Sequence, residues 1–154
     1  MQAIESDFLF LIYDVAQLIR RHADKRASAV GMTRAQWAVL ARLERQPDIT
    51  QNELAQLTDV EPITVGRLID RLELAGYVER RPDPGDRRVW RLRLMPKSTE
   101  LLKDIHKFRG EIHSQMSAGL DKRTIDALTR GLQHMRGNLA HAKTSAAIKK
   151  VVMQ

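Results

Sequence analysis

The chain has 154 residues, 43% hydrophobic and 29% charged, with a formal net charge of +7; this length suits one globular domain, alone or with an oligomerisation region. It contains no cysteine, which excludes a disulfide framework and a zinc site built from thiolates. No apolar run approaches the ~20 residues of a membrane span and the N-terminus has no secretory pattern, so we expect a soluble, cytoplasmic protein.

The positive charge indicates an anionic partner, but it does not locate the binding surface. Residues 121–154 hold seven basic residues and only two acidic ones. Lys143, Lys149 and Lys150 of this segment could contact flanking phosphates or an anionic effector, or could form a solvated tail. The surface must therefore be found from where the basic residues fall in the predicted elements.

The first two predicted elements are amphipathic helices. Ser6 or Asp7 could cap the first helix, and Thr33 and Gln36 have the spacing of a capping box at the start of the second, which ends at Pro47. The apolar positions of the first helix recur at three- and four-residue steps: Ile4, Phe8, Leu11, Ile12, Val15, Leu18 and Ile19.

Two short helices follow, and their arrangement predicts a helix-turn-helix motif. Thr50 and Glu53 form a second capping box, at the start of a very short helix. Pro62 stands in the first turn of the next helix, where its missing N–H costs nothing, and Gly76 suits the left-handed residue that ends it. The link Thr58–Val60 is short enough for a helix-turn-helix.

A β-hairpin is predicted directly after this motif. Tyr77–Arg81 and Val89–Leu94 are strand-like, and Pro84-Gly85 fits a tight turn between them. The fifteen residues Arg80–Leu94 contain six arginines and two prolines. They are too regular for a disordered tail and too poor in apolar side chains for a hairpin buried on both faces. A hairpin in this position is a wing.

Two more helices are predicted after Pro96, the last with near-heptad apolar spacing. A winged helix does not need the outer helices for its own core, so we expect them to pack against a second copy; an intrachain bundle is the alternative. The fold is then mainly α with a small β-hairpin wing. We expect an N-terminal dimerisation helix (1–32), a winged helix-turn-helix region (33–95) and C-terminal dimerisation helices (96–154).

The exposed face of the helix that begins at Pro62 carries candidate DNA-reading residues. Such a helix reads base edges in the major groove from its N-terminal end, and a wing can enter the adjacent minor groove. Arg67 can pair bidentately with guanine, Thr64 can contact a thymine methyl or a base edge, and Arg71 suits a phosphate. In the alternative interpretation, Arg67 and Arg71 pair with Asp70 or Glu73 on a solvated face.

Arg87 and Arg88, at the wing tip, are the candidate minor-groove contacts. A narrow minor groove focuses negative potential, and guanidinium is weakly hydrated. Asp86 can hold a neighbouring arginine in an extended rotamer while Arg87 or Arg88 reaches into the groove. The alternative is a surface loop with excess charge.

These features together resemble the MarR family of bacterial transcription regulators, over nearly the whole chain. The resemblance assigns Asp86 and Arg88 to the family's Asp-x-Arg wing signature and implies that Arg88 enters the minor groove. At Met95 the family usually has a threonine, so either the next helix starts less tightly or Met95 packs inward near a ligand pocket. The residues that carry the resemblance are Arg81–Arg88, Glu61–Leu72, Gly76, Leu92–Leu94 and Pro96-Lys97.

The resemblance implies a homodimeric regulator, most often a repressor, on a pseudo-palindromic operator in double-stranded DNA. It also implies release by a small-molecule effector, such as an aromatic acid or an acyl-CoA. His22, Met32, Trp37 and Met95 could line the effector space, although Met32 and Trp37 also suit a core. The alternative function is an architectural or constitutive DNA-binding protein without an effector.

No catalytic residues, cofactor or metal are expected, so the sequence does not predict an enzyme. The five histidines are scattered along the chain. His106 and His113 are seven residues apart, on one helical face, which makes a metal site conceivable; solvated or interface histidines are the favoured interpretation.

Overall fold

The computed structural model describes residues 7–58 and 60–152, and the side chains of residues 7–58 and 60–140. In this part of the chain, six helices and one hairpin follow in order: α1 (Phe8–Ala29), α2 (Arg34–Arg45), α3 (Gln51–Thr58), α4 (Pro62–Leu74), β1 (Val78–Pro82), β2 (Trp90–Leu94), α5 (Ser98–Ser117) and α6 (Lys122–Val152). The fold class predicted from the sequence is confirmed. Two compact units divide between Ile112 and His113. None of the described helices has the length and apolarity to cross a bilayer.

The first two helices begin at capping residues. Asp7 caps α1, because its Oδ1 accepts from the N–H groups of Leu9 at 2.9 Å and Phe10 at 3.3 Å. The other predicted cap, Ser6, and the first apolar position, Ile4, lie outside the described residues. The predicted capping box of α2 is confirmed, with Gln36 N–H donating to Thr33 Oγ1 and Thr33 N–H donating to Gln36 Oε1.

The helix-turn-helix comprises α3 and α4. The predicted capping box at Thr50 and Glu53 is confirmed by two reciprocal hydrogen bonds of 2.6 and 3.1 Å. Pro62 is the first residue of α4, and Gly76 has the predicted left-handed backbone, with φ of 79°. Within the predicted link, Thr58 is the last residue of α3 and Asp59 lies outside the described residues.

The core of the first unit lies between the helix-turn-helix, the hairpin and the start of α5. Because α4 and the hairpin both contribute side chains to this core, their relative position is fixed by packing. Its most deeply buried members are Leu40, Leu43, Leu54, Val65, Ile69, Leu72, Val78 and Leu92.

The hairpin is antiparallel, with Val78 opposite Leu94 and Pro82 opposite Trp90. The predicted tight turn at Pro84-Gly85 is wrong. The hydrogen-bonded turn comes three residues later, at Arg87-Arg88, where Val89 N–H donates to the Asp86 carbonyl at 2.9 Å. The physical reason is Asp83, whose Oδ1 accepts from Gly85 N–H at 2.7 Å and bends the chain first. The predicted strands also begin one residue early, at Tyr77 and Val89.

The loop before α3 adds a third strand-like segment beside β2. Leu92 N–H donates to the Ile49 carbonyl at 2.9 Å, and Asp48 N–H donates to the Leu92 carbonyl at 3.2 Å. Asp48 has a φ of 62°, in the left-handed region that aspartate tolerates better than most residues. This pairing ties the wing to the start of the helix-turn-helix.

The two C-terminal helices begin in different ways. At α5, the half-buried Met95 supplies no side-chain cap, but its carbonyl accepts from Ser98 N–H at 2.9 Å and from Ser98 Oγ at 2.6 Å. At α6, Asp121 Oδ1 accepts from Thr124 N–H at 2.8 Å. The α6 backbone continues to Val152, but the side chains of Lys143, Lys149 and Lys150 lie outside the described residues.

Candidate nucleic-acid interface

The helix α4 has one buried face and one open face. Val65, Ile69 and Leu72 are buried. They lie on one face of the helix, because residues three and four apart share a face. Thr64, Arg67 and Arg71 are exposed, and they lie opposite that stripe. The structure therefore places the three candidate reading residues together on the open face.

The acidic residues of α4 pair with the wing rather than with the arginines of α4. Arg80 of β1 contacts Asp70 at 2.6 Å and forms a close ion pair with Glu73. The alternative in which Arg67 and Arg71 pair with these carboxylates is therefore wrong. Across residues 7–58 and 60–140, no ion pair involves Arg67 or Arg71, so both guanidinium groups are available to an external anion.

Arg80 joins α3, α4 and the wing. Besides its two carboxylate partners, its guanidinium donates to Gln51 Oε1 at 3.2 Å and to the Gly66 carbonyl at 3.5 Å. Its side chain is only 22% exposed. This role of Arg80 was not predicted from the sequence, although a signal was present: Arg80 lies opposite the buried Leu92, and paired residues of an antiparallel sheet point to the same face.

The six arginines of the segment Arg80–Leu94 divide into two groups. Four are held by carboxylates, in the pairs Arg80–Asp70/Glu73, Arg81–Glu79, Arg91–Asp83 and Arg93–Asp48. The other two, Arg87 and Arg88, are exposed at the wing tip, and their side chains pair with no residue that the structure describes. The unpaired positive charge of the hairpin is therefore concentrated at its tip.

Asp83 holds the backbone at the start of the wing tip in place. Its Oδ1 accepts from the N–H groups of Gly85 at 2.7 Å and Asp86 at 3.1 Å, and its Oδ2 forms a close ion pair with Arg91. Arg91 also donates to the Asp48 carbonyl at 2.8 Å. The hydrogen bond from Arg91, followed by that from Gly85, lowers the pKa of Asp83, and the same carboxylate raises the pKa of Arg91.

Asp86 acts on the backbone of the tip rather than on a guanidinium. Its Oδ1 accepts from Arg88 N–H at 2.9 Å, and no described arginine side chain pairs with it. The prediction that Asp86 holds an arginine rotamer is therefore wrong. The reason is local, because a short aspartate side chain readily reaches the N–H two residues ahead. Asp86 thus fixes the point from which the Arg88 side chain leaves the wing.

The ion pair at Asp83 is expected to persist at pH values below the ordinary pKa of an aspartate. A carboxyl whose folded pKa is lowered adds stability above its ordinary pKa of 3.8 and loses it only as pH falls through the lowered value. We therefore expect the Asp83 carboxyl to titrate below 3.8, followed by carbon-detected NMR. In Arg91→Ala, which removes the largest cause, the midpoint should rise. An unchanged midpoint in this variant would show that Arg91 does not control the titration.

A groove of about 760 Å³ lies between the start of α3 and the wing. Arg88 is on its wall together with Trp90, which is half exposed. None of the four candidate effector residues lines it. Its other lining residues are Thr50, Gln51, Asn52, Glu73, Arg80 and Val89.

The candidate effector residues do not all lie together. Met32 and Trp37 are buried in the core of the first unit, and the Trp37 ring lies 5.8 Å from the Phe108 ring, tilted by 58°. His22 is exposed on α1, and Met95 is half-buried before α5. Trp37 Nε1 is buried and has no hydrogen-bond partner among the residues described.

One of the two histidines on α5 contacts a carboxylate of α2. His106 Nε2 lies 2.9 Å from Glu44 Oε1 of α2. Within the described part of the chain, no cluster of three histidine, aspartate or glutamate side chains has the geometry to hold a metal ion.

Comparison with known proteins shows which family this chain resembles. The family model described as "MarR family" matches residues 30–89, from the end of α1 to the wing. Wild-type apo MarR from E. coli is 27% identical, with a TM-score of 0.72 over 83% of this chain and 95% of that chain. The transcriptional regulator SlyA is 26% identical, with a TM-score of 0.80 over 88% of this chain and 96% of that chain.

A MarR transcriptional regulator from Methanosarcina mazei Go1 is similar to the same extent. It is 28% identical, with a TM-score of 0.76 over 83% of this chain and 92% of that chain. These relatives are transcription regulators rather than enzymes. Together with the winged helix-turn-helix, these matches show that the chain is similar to the MarR family of DNA-binding transcription regulators.

Proposed function

We propose that the protein is a homodimeric repressor that binds a pseudo-palindromic operator and releases it when a small-molecule effector binds. One observation carries the DNA-binding surface: the unpaired guanidinium groups lie on the open face of α4 and at the wing tip, while the other four arginines of the hairpin are held by carboxylates. Charge that is not neutralised within the chain is available to phosphates and base edges.

In this proposal the arginines of α4 and those of the wing tip contact different parts of the DNA. Arg67 lies nearer the N-terminal end of α4, where recognition helices meet base edges, and it pairs bidentately with a guanine. Thr64 contacts the neighbouring base, and Arg71, one turn further on, contacts a phosphate. Arg87 and Arg88 contact the adjacent minor groove and its phosphates.

Because Arg67 is proposed to contact a base and Arg71 a phosphate, replacing each of them should change DNA affinity in a different way. Arg67→Ala should cost about 1–3 kcal/mol of operator affinity and relax the preference at one base pair. Arg71→Ala should weaken all sequences alike and reduce the salt slope. The measurement is fluorescence anisotropy on operator and random duplexes at several salt concentrations, with the exposed Arg109→Ala as a charge-matched control. If Arg67→Ala lost equal affinity for the operator and random duplexes, Arg67 would not read a base.

The dimer is proposed from apolar surface that the described chain leaves open. In α1, Phe8, Leu9 and Tyr13 are all more than half exposed, and in α6 so are Leu128 and Leu139. Contiguous exposed apolar surface marks interaction sites, and a standard interface buries about 800 Å² per partner. Residues 1–32 and 96–154 are therefore proposed as dimerisation regions that flank the DNA-binding region 33–95.

The effector is proposed to reach Trp37. A buried donor without a partner costs about 1–3 kcal/mol, and an acceptor on a ligand removes that cost. The carboxylate of an aromatic acid or the thioester carbonyl of an acyl-CoA supplies such an acceptor, with Met32 as an apolar neighbour. His22 and Met95 are proposed as further contacts at the edge of this site.

Ligand binding should therefore raise thermal stability through the Trp37 N–H. A ligand at a hundred times its Kd stabilises the folded state by about 2.7 kcal/mol, a shift of several degrees in Tm for a domain of this size. We expect a phenolic acid or an acyl-CoA to give this shift and to release operator DNA. Trp37→Phe, which keeps a ring and removes the N–H, should lose much of it.

Two results would count against the effector. An unchanged shift in Trp37→Phe would remove the proposed hydrogen bond. Operator binding that resists every phenolic acid and acyl-CoA would favour the alternative, an effector-independent architectural or constitutive DNA-binding protein.

A further inference from the structure

Ile63 is an apolar residue placed where a recognition helix meets DNA. It is the second residue of α4, is 67% exposed, and does not belong to the core cluster or to the side chains packed against it. Its exposure therefore has no explanation in the packing of this unit.

The position of Ile63 on the helix is specific. Residues four apart share a helix face, so Ile63 lies one turn before Arg67, on the face opposite the buried Val65 and Ile69. Glu61, Pro62 and Thr64, beside it, are also exposed. The whole first turn of α4 is thus free to enter a groove, and Ile63 is its largest apolar side chain.

A single exposed apolar residue is common on protein surfaces, so a second one provides a comparison. Leu74, the last residue of α4, is 91% exposed. It shares the open face with Ile63, but it lies eleven residues later, about 16 Å along the axis at 1.5 Å per residue. A helix that enters the groove by its N-terminal end brings Ile63 to the bases and leaves Leu74 beyond them.

We propose that Ile63 contacts the C5-methyl group of a thymine in each half-site, next to the base pair read by Arg67. Thymine alone presents a methyl group in the major groove, and apolar side chains are its usual partners. Ile63 has no hydrogen-bonding group with which to read any other base edge. The inference rests on the proposed function, in which α4 enters the major groove, and it adds one thymine to the specificity of that site.

Removing only the methyl group tests this contact. The wild-type protein first selects a preferred duplex from a randomised pool, and each thymine is then replaced by deoxyuridine in both half-sites together. At one position we expect wild-type affinity to fall about fourfold per half-site, the effect of about one buried methyl group. Ile63→Ala should bind the thymine and deoxyuridine duplexes equally.

Three further variants make the result specific. Ile63→Val, which keeps a branched apolar side chain, should retain most of the discrimination. Leu74→Ala removes a more exposed apolar side chain from the same face and should retain all of it. Thr64→Ala should also retain it, because the methyl contact is assigned to Ile63 and not to the neighbouring threonine.

Failure of this inference can be told apart from failure of the proposed function. If the protein selects no preferred sequence, both fail. If it selects one and Arg67→Ala relaxes it, but Ile63→Ala discriminates thymine from deoxyuridine as the wild type does, only the role of Ile63 is wrong. It is also wrong if no thymine position responds, or if Thr64→Ala alone removes the response.

Discussion

Arg88→Ala is expected to lower operator affinity by roughly ten- to a hundredfold, as the loss of a good arginine contact does. The Arg88 guanidinium has no carboxylate partner among the described residues, so its charge is directed outward at the wing tip. The loss should be larger on sites with A·T-rich flanks, because a narrow minor groove concentrates negative potential. Affinities on duplexes that differ only in their flanks provide the measurement.

Arg81→Ala is the matched control for this result. It removes the same charge from the same hairpin, but Arg81 is already paired with Glu79. It should therefore weaken binding much less and without dependence on the flanks. Equal losses for Arg81→Ala and Arg88→Ala would show that only the net charge of the hairpin matters.

A substitution at Asp86 tests the same wing tip, because two explanations predict opposite changes in DNA affinity. Asp86→Ala removes a negative charge near phosphates, so simple electrostatics predicts tighter binding. We expect weaker binding instead, because the variant loses the acceptor for Arg88 N–H. Asp86→Asn keeps an oxygen acceptor without the charge and should bind at least as well as the wild type. Tighter operator binding by Asp86→Ala at moderate salt would contradict the positioning role.

Arg80→Ala is the second change with a large expected effect. It leaves Asp70 and Glu73 without their shared cation on the helix proposed to read DNA, and it removes one of the contacts that hold the wing to α3 and α4. Lost hydrogen bonds between charged groups cost about 1.5–3 kcal/mol, reduced here because Asp70 is largely exposed. We expect lower stability in chemical denaturation and roughly tenfold weaker binding to operator and random DNA alike.

A second substitution distinguishes two causes of weaker DNA binding in Arg80→Ala. One is repulsion between the uncompensated carboxylates and the phosphates, and the other is disorder of the wing. In the Arg80→Ala background, Asp70→Asn removes one uncompensated carboxylate without restoring the link to the wing. Affinity for random DNA should recover in part, while stability should not. Operator affinity within twofold of the wild type for Arg80→Ala itself would show that this link does not position the interface.

The local features of the fold were predictable because their signals are local. The capping boxes at Thr33 and Thr50 each lie within four residues, and the left-handed Gly76 follows from one residue type. The open face of α4 follows from the spacing of its apolar residues, which places Thr64 and Arg67 without any knowledge of the tertiary structure.

The ion pairs were not predictable, because they join residues distant in sequence. Arg80 contacts Gln51, 29 residues away, and Arg93 contacts Asp48, 45 residues away. Six arginines and several carboxylates allow many pairings, and only the packed hairpin selects among them. For the same reason the acidic residues of α4 were assigned to Arg67 and Arg71 in the alternative interpretation, whereas the structure pairs them with Arg80.

At the start of α5, the two alternatives drawn from the sequence, a less tightly started helix or an inward-packed Met95, considered only the side chain of that residue. Met95 has no side-chain oxygen, but its backbone carbonyl takes two hydrogen bonds from Ser98. Ser98 is buried, so its hydroxyl needs such a partner. The departure from the family pattern at Met95 is therefore accompanied by a hydrogen-bonded helix start that a search for capping side chains at this position overlooks.

In the proposed complex, two copies place α4 in successive major grooves and their wing tips in the flanking minor grooves. The chain has no cysteine, so Arg87→Cys provides a single attachment point at the wing tip for an iron chelate that cleaves nearby DNA. This arrangement predicts two clusters of minor-groove cleavage on the selected duplex, related by its two-fold axis, outside half-sites about one helical turn apart. One cluster, or uniform cleavage along the duplex, would contradict it.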